Sequence, residues 1–232
     1  MSFKVYELSI KVYLTKDIDK EECSSNLCKL IDNNFLNSEV FKEFHEENKF
    51  KLYVFDNLYP IEKDGIYKEG SIYSFRLRTI DESLKDFLEK YLVNSYTKKI
   101  KVLTIKTRVI AKKNIDKLYS ITPAVCKFKD GYWRKNHSLC EFENRIKSNL
   151  IKKYNEFTKE KIDENFQLFD YIEFKNKKPI AINIKSIKLL GDKIEIRICN
   201  DELSQLLAYM AIGVGVNELN SRGCGFVNYK YL

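Results

Sequence analysis

The chain switches repeatedly between two hydrophobic periods, and the order of the switches restricts its fold more than any other feature. Residues 3–12, FKVYELSIKV, repeat apolar side chains at a period near two through Phe3, Val5, Leu8, Ile10 and Val12, the pattern of a half-buried strand. From Asp19 the period becomes helical, first through Leu27, Leu30, Ile31 and Phe35, then through Val40, Phe41 and Phe44. This predicts one long helix or two short ones. Strand patterns return at 50–55 (FKLYVF) and 71–80 (SIYSFRLRTI). The segment 81–92 opens on Asp81, a good N-cap residue, and places Leu84, Phe87, Leu88, Tyr91 and Leu92 on one helical face. Alternation resumes over 99–111. The order β-α-β-β-α-β is that of a ferredoxin-like unit.

A second round follows. Residues 118–128 read as extended, with Pro123 suited to an edge or a bend. Residues 139–161 read as a helix with Phe142, Ile146, Leu150, Tyr154 and Phe157 on one side. Two or three strands come next, with turns near 176–179 and 191–192. Asp201 then caps a helix over 201–212, and GFVNYKYL forms a last strand. The two rounds share order and not sequence. The expected fold is α+β: tandem ferredoxin-like (RRM-like) domains at 1–112 and 113–232, each an antiparallel sheet with helices on one face. No low-complexity linker separates them, so they are expected to pack tightly.

Charge narrows the partners. The chain carries 41 Lys+Arg against 33 Asp+Glu, a formal net charge of +8, which favours a polyanion such as nucleic acid. It contains no run of about 18 apolar residues that would predict a membrane span. The N-terminal alternation, interrupted by Glu7, does not fit a signal peptide. Six cysteines include no CxxC pair, so reduced thiols in a cytoplasmic protein are expected, with no metal site and no cofactor.

Two histidines are candidates for proton transfer. His45 closes the first helical region, and Lys51 opens the strand pattern that follows. A helix end and the next strand can hold both at one pocket, and an imidazole titrates near neutrality; the alternative for His45 is a solvated residue at a helix end. His137 lies in a polar loop before a helix and reads as a surface residue. On helix 139–161, Arg145, Lys152 and Lys159 recur at spacings of seven, with Lys147, Lys153 and Lys161 beside them. A phosphate backbone would fit such a stripe, as would an ordinary solvated face.

Four of the 8 glycines lie near the C-terminus, in GVGVNELNSRGCGFVNYK (213–230). Gly213, Gly215, Gly223 and Gly225 suggest a backbone that something approaches closely. A helix leads in and a strand leads out, the reverse of a dinucleotide or P-loop arrangement.

Two Gly-x-Gly pairs flanking a polar, Asn-containing stretch resemble the signature loop of the RAMP superfamily. More narrowly, the chain resembles the CRISPR-associated repeat-processing endoribonucleases, the Cas-six family. FHEENKFKLYVFDNL (44–58), GSIYSFRLRTID (70–81), SITPAVCKFKDGYW (120–133) and NLIKKYNEF (149–157) are similar to other segments of that family. The resemblance implies that His45 is a general acid or base and Lys51 an electrostatic stabiliser. It implies metal-independent cleavage of precursor CRISPR RNA within the repeat by 2′-hydroxyl attack, leaving a 2′,3′-cyclic phosphate and a 5′-hydroxyl. Arg145, Lys152, Lys153, Gly213, Gly215, Asn217, Asn220, Arg222, Gly223 and Gly225 are then the expected RNA-binding residues, and other CRISPR-associated subunits are possible partners. A non-catalytic RAMP-type subunit that binds CRISPR RNA is the alternative. Two departures stand out. The spacer from Val216 to Arg222 is longer than usual, and LIDNNFLN (30–37) lacks a tyrosine that some members place on the first helix.

Overall fold

In the computed structural model, which describes residues 3–184 and 187–232, the two rounds build two four-stranded antiparallel sheets. The first half contains β1 (Val5–Leu14), β2 (Ile18–Asp19), α1 (Lys20–Phe35), α2 (Glu39–Glu46), β3 (Tyr53–Phe55), β4 (Ile66–Tyr67), β5 (Ile72–Thr79), α3 (Glu82–Leu92) and β6 (Ile100–Ile110). Its sheet runs β3-β5-β1-β6, with β2 and β4 paired separately. The second half contains β7 (Ile115–Ser120), α4 (Leu139–Thr158), β8 (Phe169–Phe174), β9 (Ile180–Ile184), β10 (Ile187–Gly191), β11 (Ile194–Ile198), α5 (Glu202–Val214) and β12 (Val227–Tyr231). Its sheet runs β12-β7-β11-β8, and β9 and β10 form an inserted hairpin. In each sheet the first strand of the unit lies between the third and the fourth. This is the ferredoxin-like arrangement that the order of elements predicts.

Local chemistry sets the boundaries. The Asp81 carboxylate accepts from the Leu84 amide at the start of α3, and Asp201 does the same for Ser204 at α5. Ser138 and Glu141 form a reciprocal capping box at α4. The first helical region resolves into two helices. α2 has no buried residue and docks through aromatic rings, with Phe41 on Phe87 at 4.0 Å and Phe44 against Phe35 at 5.9 Å. The strand expected at 50–55 begins only at Tyr53, because Leu52 takes a left-handed φ of 51°. Helix 139–161 ends at Thr158, where Lys159 turns to φ 61°. The extended segment at 118–128 leaves its sheet after Ser120.

The halves are joined through α5. Every residue from Leu207 to Val214 is buried, and a helix apolar on all sides must be enclosed on all sides. It meets β1, β3 and β5 of the first half and β7, β11, β12 and α4 of its own. Phe3, Val5, Ile80 and Ile110 consequently belong to the core of the second half. The Tyr209 hydroxyl accepts from the Val5 amide at 3.0 Å and donates to the Ile110 carbonyl at 2.7 Å.

A buried ion network reinforces the junction. Glu7 accepts from Arg78 at 2.7 Å and from Arg108 at 2.8 Å, while Arg78 also donates to the Val227 carbonyl at 2.6 Å. Burial pushes the Glu7 carboxyl up, but the two guanidiniums outweigh it and hold the group below its ordinary range. Among the described residues no helix is long and apolar enough to cross a membrane.

Candidate active site and the glycine-rich loop

His45 is the penultimate residue of α2, and its ring stacks on Phe35 of α1 at 5.3 Å and 24°. Its Nδ1 lies 3.8 Å from Asp32 Oδ1, and the side chain is 30% exposed. Lys51 reaches back to the same helix end. Its ammonium donates to the Phe44 carbonyl and, at 2.7 Å, to the Glu47 carbonyl, bracketing His45. These are carbonyls that a helix C-terminus leaves without intrahelical partners. An ammonium has three donors, so the third N–H of Lys51 carries no acceptor among the described residues. Burial lowers the Lys51 pKa, Glu47 and Asp32 oppose it, and Arg222 and Lys49 add to it. The structure therefore brings His45 and Lys51 together at the end of α2, with Lys51 in the loop before β3 and not in the strand.

The glycine-rich segment closes on the protein itself. Gly215 caps α5 at φ 73°, and Asn217, Leu219, Gly223 and Gly225 also take positive φ around a short turn at Asn220–Arg222. Asn220 is buried; its amide nitrogen donates to the Val216 and Cys224 carbonyls at 3.0 Å each. Lys153 comes from α4 into the centre of this ring. Its ammonium donates to the Gly215 and Asn217 carbonyls at 2.9 Å and to Asn220 Oδ1 at 2.6 Å. Burial pushes Lys153 down to about 7, with Glu218 opposing. The three acceptors oppose it as well, because a neutral amine has two N–H donors and would strand one oxygen.

Several of the expected RNA contacts turn inward. Lys153, Gly213, Gly215, Asn217, Asn220, Gly223 and Gly225 are buried. At two glycines the close approach comes from the first half of the chain: a Cβ on Gly213 would meet Ile80 at 2.7 Å, and one on Gly223 would meet Ser24 at 2.7 Å and Phe55 at 2.9 Å; at Gly215 and Gly225 it comes from the loop itself, from Asn220 and the Val216 and Gly225 carbonyls. The α4 stripe is also partly spent. Arg145 binds Glu218 at 2.9 Å and the Lys127 carbonyl at 3.2 Å while staying partly exposed, Lys147 donates to the Glu164 and Phe166 carbonyls, and Lys152 is open to solvent. His137 has both ring nitrogens engaged, by Glu141 at 3.0 Å and Asp130 at 2.8 Å, and these carboxylates raise its pKa; it locks the entry to α4.

A β-branched side chain at Gly223 would combine left-handed backbone strain with overpacking between the halves. Gly223→Val is expected to cost about 2–3 kcal/mol, read as a lower denaturation midpoint in urea. An unchanged midpoint would contradict the close packing of this turn.

The contact that sequence reasoning missed is a stripe on α1. Ser24, Cys28 and Asp32 recur every four residues, so they share one helix face. Ser24 donates to the Arg222 carbonyl at 2.6 Å, Cys28 to the Ser221 carbonyl at 3.7 Å, and Asp32 accepts from the Arg222 guanidinium at 2.5 Å. The loop is thus delivered against the helix that also supports His45. The spacing was visible in the chain, but its partners lie near the other terminus. On another side of this turn, a cleft of about 760 Å³ between the halves is lined by Ser24, Asp56, Tyr59, Arg76, Lys193 and Gly223 among others. It does not include His45 or Lys51.

Duplicated ferredoxin-like units, the second carrying a glycine-rich loop between its last helix and its last strand, define a RAMP-type protein. A family model described as CRISPR associated protein Cas6, C-terminal, matches residues 105–229, and the chain belongs to the Cas6 family. It is similar to the CRISPR-associated endoribonuclease Cas6 1 of Methanocaldococcus jannaschii, 29% identical over 205 residues that cover 80% of this chain and 76% of the relative. A solved structure described as CRISPR associated protein Cas6 superposes with a TM-score of 0.74 at 21% identity, covering 97% of this chain and 99% of its own. An RAMP protein binding different RNA substrates superposes with a TM-score of 0.74 at 18% identity, over 97% and 99% of the two chains.

Proposed function

We propose that the protein is the endoribonuclease that cuts precursor CRISPR RNA within its repeat, acting in the cytoplasm. The observation that carries this reading is the meeting of a titratable imidazole and a partly buried ammonium at the end of α2, with Arg222 beside them. The ribose 2′-oxygen attacks the adjacent phosphorus as the bond to the 5′-oxygen breaks. The attacking hydroxyl loses a proton and the leaving 5′-oxygen gains one; His45 carries one of these transfers and solvent water the other. The free N–H of Lys51 faces the charge that develops on the phosphorane. These residues supply proton transfer and charge without a metal ion. The products are a 2′,3′-cyclic phosphate and a 5′-hydroxyl. Exposed Lys152 and the partly exposed Arg145 remain available to phosphates, and the cleft offers the Tyr59 ring, 67% exposed, as a stacking face. Other CRISPR-associated subunits are further candidate partners for the product complex.

Incubation with cognate repeat RNA in EDTA tests the reading. One cut, with those end groups, is the expected outcome. Binding without cleavage would leave the non-catalytic RAMP-type role, and tighter binding to duplex DNA at matched salt would remove RNA as the substrate.

A further inference from the structure

We propose that Asp32 is a positioning residue for His45, held in its working orientation by Arg222 of the glycine-rich loop. The proposal rests on the reading of His45 as the proton-transfer group.

Asp32 stands between two groups from opposite ends of the chain. Its Oδ2 accepts from the Arg222 guanidinium at 2.5 Å. Its Oδ1 is buried, has no hydrogen-bond partner among the described residues, and lies 3.8 Å from His45 Nδ1. An unpaired buried carboxylate oxygen is costly, and the His45 ring, 3.8 Å away, can satisfy it as a donor. A closing movement of under about 1 Å would make a normal hydrogen bond, and such bonds are commonly long before substrate binds.

The consequence concerns which ring nitrogen works. With Nδ1–H turned to Asp32, Nε2 is the nitrogen left to face the ribose hydroxyl or the leaving oxygen. Phe35 stacks on the ring and fixes its plane. The carboxylate also stabilises the imidazolium that forms when Nε2 takes a proton. Arg222 prevents Asp32 from swinging away, and Arg222 is itself held because its carbonyl accepts from Ser24. The loop's contribution to the reaction is therefore indirect: it supplies the residue that holds the residue that aims the histidine.

A double-mutant cycle tests this, with single-turnover cleavage of repeat RNA as the readout. Asp32→Asn preserves shape but can present an N–H to Nδ1 in place of an acceptor. It is expected to slow cleavage by about 10–100-fold with the Kd for repeat RNA unchanged. In a His45→Ala background the same substitution is expected to have no further effect, because its route of action is gone. Equal losses in both backgrounds, or a wild-type rate for Asp32→Asn, would overturn the proposal. If Asp32→Asn does not fold, Arg222→Gln serves: a loss confined to the His45 background supports the proposal, and an equal loss in both overturns it. A wild-type rate for His45→Ala alone would defeat the underlying reading of His45, and is distinguishable because it needs no change at Asp32.

Discussion

His45→Ala is expected to slow single-turnover cleavage of repeat RNA by about 10²-fold or more, equivalent to a barrier higher by about 2.7 kcal/mol. Alanine removes the imidazole and leaves Lys51 tied to the Phe44 and Glu47 carbonyls, since those bonds involve backbone and not the histidine side chain. The ring contributes one stack on Phe35 and one approach to Asp32, and α2 has no buried residue, so folding should survive. The affinity for uncleaved repeat RNA should change little, which separates chemistry from binding. An undiminished rate in EDTA would remove His45 from the site and with it the proposed division of labour with Lys51.

Lys153→Met is expected to lower stability by about 3–5 kcal/mol, the range for removing one partner from a buried charged cluster. Methionine matches the aliphatic stem but has no donor. The Gly215 and Asn217 carbonyls and Asn220 Oδ1 would then face an apolar sulfur, each an unmet acceptor in the interior. The melting temperature should fall by roughly 10 °C, taking about 2–4 °C per kcal/mol for a chain of this size. Cleavage should also fall below the melting point, because the loop that Lys153 clamps carries Arg222 to Asp32. A wild-type melting temperature would mean that the loop keeps its shape through its own Asn220 bonds and the glycine backbone alone.

The strand and helix order, the capping aspartates and the glycine cluster were all legible because each is a local pattern. Periodicity reports which face of an element is buried, and it reported α1, α3, α4 and α5 within a few residues. Its errors were local as well: Leu52 at positive φ shortens β3, and Lys159 at positive φ ends α4. The basic stripe on α4 divides in a way that periodicity does not show. Lys152 and Lys153 are adjacent and chemically identical, yet one is exposed and the other is enclosed. A helix turns about 100° per residue, and a long amphipathic side chain is equally at home on either side of the boundary. The continuous apolar run from Leu207 to Ile212 was a readable sign that α5 is enclosed on all sides.

The sequence by itself determined the elements, their order, the two-fold repetition of the ferredoxin-like unit and the family, and it pointed to His45 and Lys51 as the candidate pair. These follow from hydrophobic period, turn chemistry and motif, which are properties of short segments. Only the tertiary structure decided what the glycines approach, which lysine is caged and which carboxylate meets the histidine. The Arg222–Asp32 pair spans 190 residues of chain and the Lys153–Asn220 pair spans 67. A buried polar group must find a partner wherever packing places one, and the pattern of apolar residues that drives packing does not encode which polar ends will meet.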